Sequence, residues 1–279
     1  MEPDLRSGEL TFLGTATVLL RYAGLTILTD PNFLHQGDYA KLGYGLRSRR
    51  LTEPAMTIEQ LPALDAIVLS HHHGAHFDEV AAQGLDADVP IVTTPHAARK
   101  LRRQGFRAPV PLETWESHDI VGRDAFVRVT AMPGKHAPRP LEALLPPVMG
   151  SMLEFGGPSA TGTSFRLYVT GDTLVHDALE DIPRRYPDID LGLLHLGGTR
   201  VLGVLLTMDA EQGVRALDIV RPRTAVPIHY DDYTVFKDSL DNFKHAVERS
   251  SLTTDVRYVA RGETYRFAGH DAAPRPGNL

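Results

Sequence analysis

Short apolar runs that alternate with helical patterns are the feature that most constrains how this chain can fold. The run from Ala66 to Leu69 is wholly apolar, which is typical of a strand buried on both faces. Turns that carry histidine or aspartate follow this run and four similar runs, at 126–131, 165–170, 191–194 and 225–228. Strands that alternate with helices predict a layered α/β fold.

The first sixty residues have a different character. Three β-prone runs at 10–13, 17–22 and 25–29 are separated by Gly14 and Gly24, which predicts a meander that ends at Asp30-Pro31. Residues 31–62 are rich in Gly, Pro and Arg and have weak periodicity. We expect a long loop there, with one short helical piece.

The length of 279 residues is compatible with one large domain, and no solenoid-type repeat is visible. We expect a single domain over 1–267, in which 137–160 forms a lid or a wall of the pocket. The polar tail 268–279, rich in Pro, Ala and Gly, is expected to be flexible.

Composition removes several functional classes. Because the chain has no cysteine, it has neither disulfides nor thiolate ligands, and any metal must be held by His, Asp or Glu. The net charge of −6 does not favour binding to nucleic acid. No apolar stretch has membrane-spanning length and Met1 to Leu10 lacks a signal-peptide pattern, so we expect a cytoplasmic protein.

Four histidines lie within six positions directly after the first buried run, in the segment Ser70-His-His-His-Gly-Ala-His-Phe-Asp78. Side chains two apart in an extended segment point the same way, so His71 and His73 can converge on one ion while His72 points elsewhere. His76 returns after the turn at Gly74. A metal site is the first hypothesis.

Further candidate ligands follow other predicted strands. A catalytic zinc site needs three protein ligands and an open position, and neutral imidazole is the commonest ligand. His136, His229 and Asp172 each lie at a strand end. The alternatives are scattered core or surface histidines and a low-complexity tract or affinity tag, but tags lie at termini and this cluster follows a core strand.

At this point the chain resembles the metallo-β-lactamase superfamily, whose signature is His-x-His-x-Asp-His followed by a distant His, a bridging Asp and a final His. The resemblance spans roughly 10–265 and includes Thr-Asp-Pro at 29–31, Thr-Gly-Asp at 170–172 and Pro-Ile-His at 227–229. The segments Leu-His-Leu-Gly-Gly-Thr and Met-Asp-Ala-Glu-Gln are similar to the branch of ascorbate-phosphate lactonases and N-acyl-phosphatidylethanolamine phospholipase D relatives. The implied fold is a four-layer αββα sandwich.

The resemblance also implies a ligand set and a departure from it. One metal would be held by His71, His73 and His136, and Asp172 would bridge to a second metal on His76 and His229. The remaining ligand position is Ala75, where the family has aspartate. Zinc is the default ion, as one or two per chain, and manganese or iron also suit such ligands.

Alanine has no ligand atom, so we expect the second ion to bind weakly or not at all. The missing carboxylate also orients water and protonates the leaving group, and general acid-base catalysis of this kind is worth about 10² to 10⁴ in rate. A naturally inactive relative and a deliberate replacement both explain Ala75. The second explanation is favoured because the other ligand positions and Asp78 are intact.

The implied reaction is hydrolysis of an ester, lactone or phosphodiester in a small molecule by metal-bound hydroxide. Asp172, His195 and the Ala75 position would be catalytic, with Asp30 and Asp78 supporting the ligands, although His195 is equally consistent with a core imidazole. Candidate substrate contacts for an anionic and an apolar part are Arg50, Arg139, Tyr230 and Tyr233. A non-catalytic metal- or ligand-binding protein is the alternative, a nuclease ranks third, and a homo-oligomer remains open.

Overall fold

The computed structural model describes residues 5, 7–138, 141–157 and 163–268. The strands are β1 (Ser7–Gly14), β2 (Thr17–Tyr22), β3 (Leu25–Thr29), β4 (Tyr39–Gly43), β5 (Leu46–Arg49), β6 (Ala66–Leu69), β7 (Ile91–Thr93), β8 (Pro109–Pro111), β9 (Ser117–Val121), β10 (Phe126–Met132), β11 (Gly150–Gly156), β12 (Thr163–Val169), β13 (Leu191–His195), β14 (Arg200–Val201), β15 (Val204–Leu205), β16 (Thr224–Ile228), β17 (Asp255–Val256) and β18 (Thr264–Ala268). The helices are α1 (Glu79–Gly84), α2 (Pro95–Arg103), α3 (Asp181–Arg185), α4 (Ala210–Val220) and α5 (Leu240–Glu248), with 3₁₀ turns at Ile58–Gln60, Leu141–Leu144 and Asp177–Glu180.

Two seven-stranded sheets form the centre of the described fold. The first has the order β18-β1-β2-β3-β6-β7-β8, and the second has the order β17-β16-β13-β12-β11-β10-β9. Their facing sides share the largest core cluster, which includes Phe12, Val68, Leu153 and Val226. A second cluster joins the first sheet to α1 and α2, and a third joins the second sheet to α4 and α5. The layers are therefore α, β, β and α, as the family resemblance implies.

Local capping explains where the helices begin. Asp78 accepts a hydrogen bond from Ala81 N at the start of α1, and Asp209 accepts from Gln212 N at the start of α4. Ser239 does the same for Asn242 N at the start of α5. Each side chain satisfies a backbone donor that the first helical turn leaves without a partner.

Strand direction brings the chemistry-bearing turns to one edge. In the first sheet β3, β6 and β7 are parallel, and in the second sheet β12, β13 and β16 are parallel. Strand β10 runs in the same direction as β12, because both are antiparallel to β11. The carboxyl ends of these strands therefore place Asp30, Ser70 to His76, His136, Asp172, His195 and His229 at the same edge.

Three local predictions are corrected. Residues 31–62 are largely irregular and include the expected short helical piece at Ile58–Gln60, but the loop is interrupted by a hairpin of β4 and β5 that the sequence did not predict. Within the predicted lid at 137–160, the segment Gly150–Gly156 is instead a strand of the second sheet, whose Met152 and Leu153 are buried. Ala268, assigned to the flexible tail, pairs with Ser7 as the last residue of β18; residues 269–279 lie outside the described part.

Candidate metal centre

Six imidazole rings and two carboxylates lie together at this edge. The ring of His71 is 4.2 Å from that of His76 and 5.0 Å from that of His136, measured between centroids. His76 is in turn 4.8 Å from His229. The described segments thus bring together all the histidines that the sequence predicts as metal ligands.

His71 and His73 each have one anchored ring nitrogen and one free ring nitrogen. Ser70 Oγ donates to Asp30 at 2.9 Å, so it accepts from His71 Nδ1 at 3.0 Å. His73 Nε2 donates to the carbonyl oxygen of Leu42 at 3.1 Å. The remaining nitrogens, His71 Nε2 and His73 Nδ1, are buried without a hydrogen-bond partner among the described residues. Their lone pairs are available for a metal.

His136 and His229 are anchored in a similar way. His136 Nδ1 donates to the carbonyl oxygen of Leu206 at 3.1 Å, and His229 Nδ1 donates to that of Leu196 at 3.1 Å. His229 Nε2 and Asp172 Oδ1 are also buried without a hydrogen-bond partner in the described structure, although Asp172 Oδ1 lies 3.4 Å from His229 Nδ1. Such unpaired buried groups are costly in a protein core. They fit a site whose missing partner is a cation.

Electrostatics keep most of these rings neutral. Burial, together with the charge on His76, lowers the pKa of His73 to about 3. Burial also lowers the pKa of His229 to about 3, and it lowers the pKa of His71 and of His136. Neutral imidazole is the form that binds a metal. The described site therefore meets the protonation requirement of a metal centre near neutral pH.

His76 differs from the other rings because both of its nitrogens face carboxylates. Nδ1 lies 3.1 Å from Asp30 Oδ2, and Nε2 lies 3.0 Å from Asp172 Oδ2. Burial alone lowers the pKa of His76, but Asp172 and Asp30 outweigh it and raise that pKa to about 10. His76 is thus an imidazolium held between two carboxylates in the metal-free protein.

Asp30 is hydrogen-bonded to the first residue of the histidine segment and contacts two of the histidines. Its carboxylate accepts from Ser70 N at 2.7 Å and from Ser70 Oγ, and it also faces His76 and His195. Asp30 has a positive φ of 35° and His229 one of 62°, a region that non-glycine residues rarely adopt. The hydrogen bond from His229 N to Thr15 O, at 2.7 Å, helps to fix the second of these turns.

An apolar cavity of about 460 Å³ opens onto part of the histidine cluster. Its wall includes His73, His136, Asp172, His229 and Ala75 at the polar end. Aliphatic and aromatic side chains form the remainder, among them Leu42, Tyr44, Leu46, Leu141, Leu144, Leu145, Val201, Leu202, Val204, Leu206, Val235 and Phe236. The buried methyl group of Ala75 thus lies beside the candidate ligands.

Several residues predicted to act at the site lie elsewhere. Arg50 is fully buried, where its guanidinium donates to Thr15, Asn32 and the carbonyl of Thr52 and pairs with Asp232, so it has a structural role and not the predicted substrate contact. Tyr233 is also buried and donates to Asn32 at 2.9 Å. Tyr230 packs in the core between the sheets. Arg139 lies outside the described residues.

The supporting residues are placed more nearly as expected. Asp78 accepts hydrogen bonds from the backbone N–H groups of Phe33 and Leu34 and from the first turn of α1. It therefore joins the loop after β3 to the start of α1. His195 is fully buried, stacks 6.0 Å from His76 and bonds to Thr170, away from the cavity wall. That location favours the core-imidazole alternative over contact with substrate. His72 points away from the cluster and pairs with Gln104 Oε1 at 2.9 Å.

The chain matches a known protein family over most of its length. The family model for the beta-lactamase superfamily domain matches residues 26–230. The chain belongs to this superfamily. Membership confirms the predicted fold.

Named relatives extend this assignment. The chain is 27% identical over 273 residues to a UPF0173 metal-dependent hydrolase of Aeropyrum pernix, covering 93% of this chain and 97% of that protein. It is also 27% identical over 266 residues to one from Archaeoglobus fulgidus, covering 93% and 99%. The predicted enzyme class, a metal-dependent hydrolase, is confirmed.

Solved structures agree with this fold. The isothiocyanate hydrolase from Delia radicum gut bacteria superposes with a TM-score of 0.77 at 25% identity, covering 94% of this chain and all of that one (100%). A metallo hydrolase from Ignicoccus hospitalis superposes with a TM-score of 0.69 at 20% identity, covering 94% and 98%, and supports the fold alone. Within the described ranges, no helix is both long and apolar enough to span a bilayer.

Proposed function

We propose that this protein holds one divalent ion, with zinc as the default, on His71, His73 and His136 beside Asp172. The observation that carries the proposal is that His71 Nε2 and His73 Nδ1 are buried with no hydrogen-bond partner in the described structure. His136 supports it, because Nδ1 is held by Leu206 and Nε2 is the nitrogen left for an ion, beside an apolar cavity that His73 and His136 line. Three histidines and an open position form the usual catalytic zinc site. When bound, such an ion activates water and polarises the electrophile.

The chain's own residues prepare this chemistry. Ser70, Leu42 and Leu206 fix which nitrogen of each histidine is free, and so orient the ligands before an ion arrives. Asp172 Oδ1 accepts no hydrogen bond within the described structure and so can accept one from a water molecule. The apolar wall shields the reacting group from solvent.

The substrate that we propose is a small electrophile with an apolar group. Leu, Val and Phe side chains line the cavity and complement a hydrocarbon substituent. One structural neighbour hydrolyses isothiocyanates, as its name states, and these are compact neutral electrophiles. Esters, lactones of the kind used by the lactonase-like branch, and isothiocyanates are therefore the classes to test before phosphodiesters.

Turnover is proposed to be slow because of Ala75. The cavity has a methyl group where the superfamily signature has a carboxylate, and His76 is already engaged by Asp30 and Asp172. A second ion on His76 and His229 would have to displace those contacts. We therefore favour one ion over two in the native chain.

A hydrolysis screen tests this proposal. Zinc-loaded native protein, Ala75→Asp and Ala75→Asn are assayed with phenyl isothiocyanate, 4-nitrophenyl hexanoate and a γ-lactone. We expect slow turnover of at least one substrate, an increase of about 10² to 10⁴ with aspartate and little increase with the amide. Zinc binding without turnover in all three proteins would favour the non-catalytic alternative.

A further inference from the structure

Two hairpin turns at the mouth of the cavity each carry a large side chain followed by glycine. The two-residue turn between β4 and β5 is Tyr44-Gly45, with φ values of 51° and 77°. The turn between β14 and β15 is Leu202-Gly203, with φ values of 51° and 82°. Positive φ at both positions is typical of a type I′ turn, whose first position strongly prefers Asn, Asp or Gly.

Neither large side chain is explained by the turn or by packing. A tyrosine or a leucine in the left-handed region is disfavoured by the contact of its Cβ with the backbone. Both side chains are also largely exposed, at 78% for Tyr44 and 100% for Leu202. Each residue therefore incurs two costs, one from its backbone and one from its exposed apolar surface, and a local disadvantage of this kind points to function.

The position of these two turns indicates what their side chains do. Tyr44 and Leu202 both line the apolar cavity whose inner end carries the metal-facing histidines. Leu46, Leu141 and Leu144, which are also exposed, line it as well. The Tyr44 hydroxyl donates to the carbonyl oxygen of Leu144 at 2.5 Å, which ties the first tip to the adjacent 3₁₀ turn. These residues form an apolar rim around the cavity.

A third hairpin offers a comparison within the same chain. The turn between β2 and β3 is Ala23-Gly24, with φ values of 45° and 87°, so its backbone geometry matches that of the other two. Ala23 packs against the core between the sheets and is not part of the cavity wall. In turns of the same geometry, the small residue Ala23 lies away from the cavity, whereas the large residues Tyr44 and Leu202 line it.

We propose that Tyr44 and Leu202 determine specificity by closing over an apolar substituent of the substrate, an alkyl or aryl group, at the cavity mouth. This inference rests on the proposed function, because the bound molecule is a substrate only if its reacting group is hydrolysed at the inner end of the same cavity. Contact with the substituent removes exposed apolar surface from water, which is the gain that offsets the disfavoured turn residues.

Binding of a neutral apolar fluorophore, N-phenyl-1-naphthylamine, to the full chain without added metal tests the tips directly. We expect Leu202→Asn and Tyr44→Asn each to raise the Kd about tenfold, which corresponds to about 1.4 kcal/mol. Tyr44→Phe removes only the hydroxyl and leaves the Kd close to the native value. The matched control, Ala23→Asn, introduces the same residue into the same kind of turn and leaves the Kd unchanged.

The Tm of the variants distinguishes a role of Leu202 in binding from a role in stabilising the fold. Asparagine adopts positive φ more readily than leucine, so the Tm of Leu202→Asn is expected to equal or exceed the native Tm. An unchanged Kd in both asparagine variants, absent binding to the native protein, or a lower Tm of Leu202→Asn overturns the inference. Sedimentation that shows a native dimer converted to monomers by Leu202→Asn also overturns it, because the rim is then a subunit interface.

Turnover provides a second readout in the Ala75→Asp background. The ratio of kcat/KM for 4-nitrophenyl octanoate to that for the acetate is expected to fall about tenfold when Leu202→Asn is added, with little change for the acetate. An unchanged ratio contradicts the specificity role. If no ester is hydrolysed in any background, the proposed function fails, while fluorophore binding still decides whether the tips hold an apolar group.

Discussion

The Nε2 atom of His76 lies 3.0 Å from Asp172 Oδ2. Asp30 faces the other ring nitrogen of His76 at 3.1 Å, so one buried imidazolium joins the carboxylates of the two sheets. In the metal-free protein this bridge compensates negative charge that a second ion would otherwise neutralise. A second ion on His76 would therefore have to displace this bridge.

The bridge predicts how the stability of the metal-free protein depends on pH. The pKa of His76 is raised to about 10 in the folded state and is about 6.5 in an unfolded chain. Its contribution is fully present below about pH 6.5 and is lost as pH rises through the folded pKa. We expect the free energy of unfolding in urea to fall between pH 7 and 10. The same slope in His76→Gln would contradict this assignment.

Adjacent histidines provide a matched test of the ligand set. His73 has a free buried nitrogen at the cavity, whereas His72 pairs with Gln104 outside it. We expect His73→Ala to weaken zinc binding by more than about 100-fold, because even residues that only orient a ligand are worth about 10- to 100-fold. His72→Ala should change the affinity by less than about threefold. Competition with a chromogenic chelator measures both, and equal losses would argue against the assignment.

Asp78 is predicted to matter for stability more than for chemistry. Its carboxylate satisfies the N–H groups of Phe33, Leu34 and Ala81, and all three would lose their acceptor in Asp78→Ala. We expect a loss of about 3 kcal/mol in the free energy of unfolding, since each unsatisfied buried donor costs about 1 to 3 kcal/mol. Asp78→Asn keeps one acceptor oxygen and should lose less. Urea unfolding at constant pH compares them, and a loss below about 1 kcal/mol in both would refute this role.

The sequence predicted the parts of the site that depend on strand order. Buried parallel strands place the residues that follow them at one edge, so His71 and His229 could be grouped without coordinates. His136 follows β10, which is antiparallel to both of its neighbours, so its place in the group came from the family resemblance. The cluster at Ser70 to Asp78 was specific because spacing and position after a core strand agreed.

Other features depended on tertiary contacts that periodicity does not encode. Arg50 was expected at the substrate because it lies in a basic run, but its burial against Asp232 and Asn32 is decided by residues far along the chain. The β4–β5 hairpin was missed because its turn carries tyrosine where Asn or Asp would be the usual signal. The glycines at 43 and 45 were the signal that could have revealed it.

Metal content by elemental analysis, on native protein and on Ala75→Asp after zinc loading and exhaustive dialysis, tests the central claim most directly. His71, His73 and His136 should retain about one zinc per native chain, and Ala75→Asp should retain about two, because aspartate would complete the second ligand set that the family resemblance implies. His73→Ala, carried through the same dialysis, should retain almost none. Absence of zinc from both the native protein and Ala75→Asp would contradict the metal centre itself.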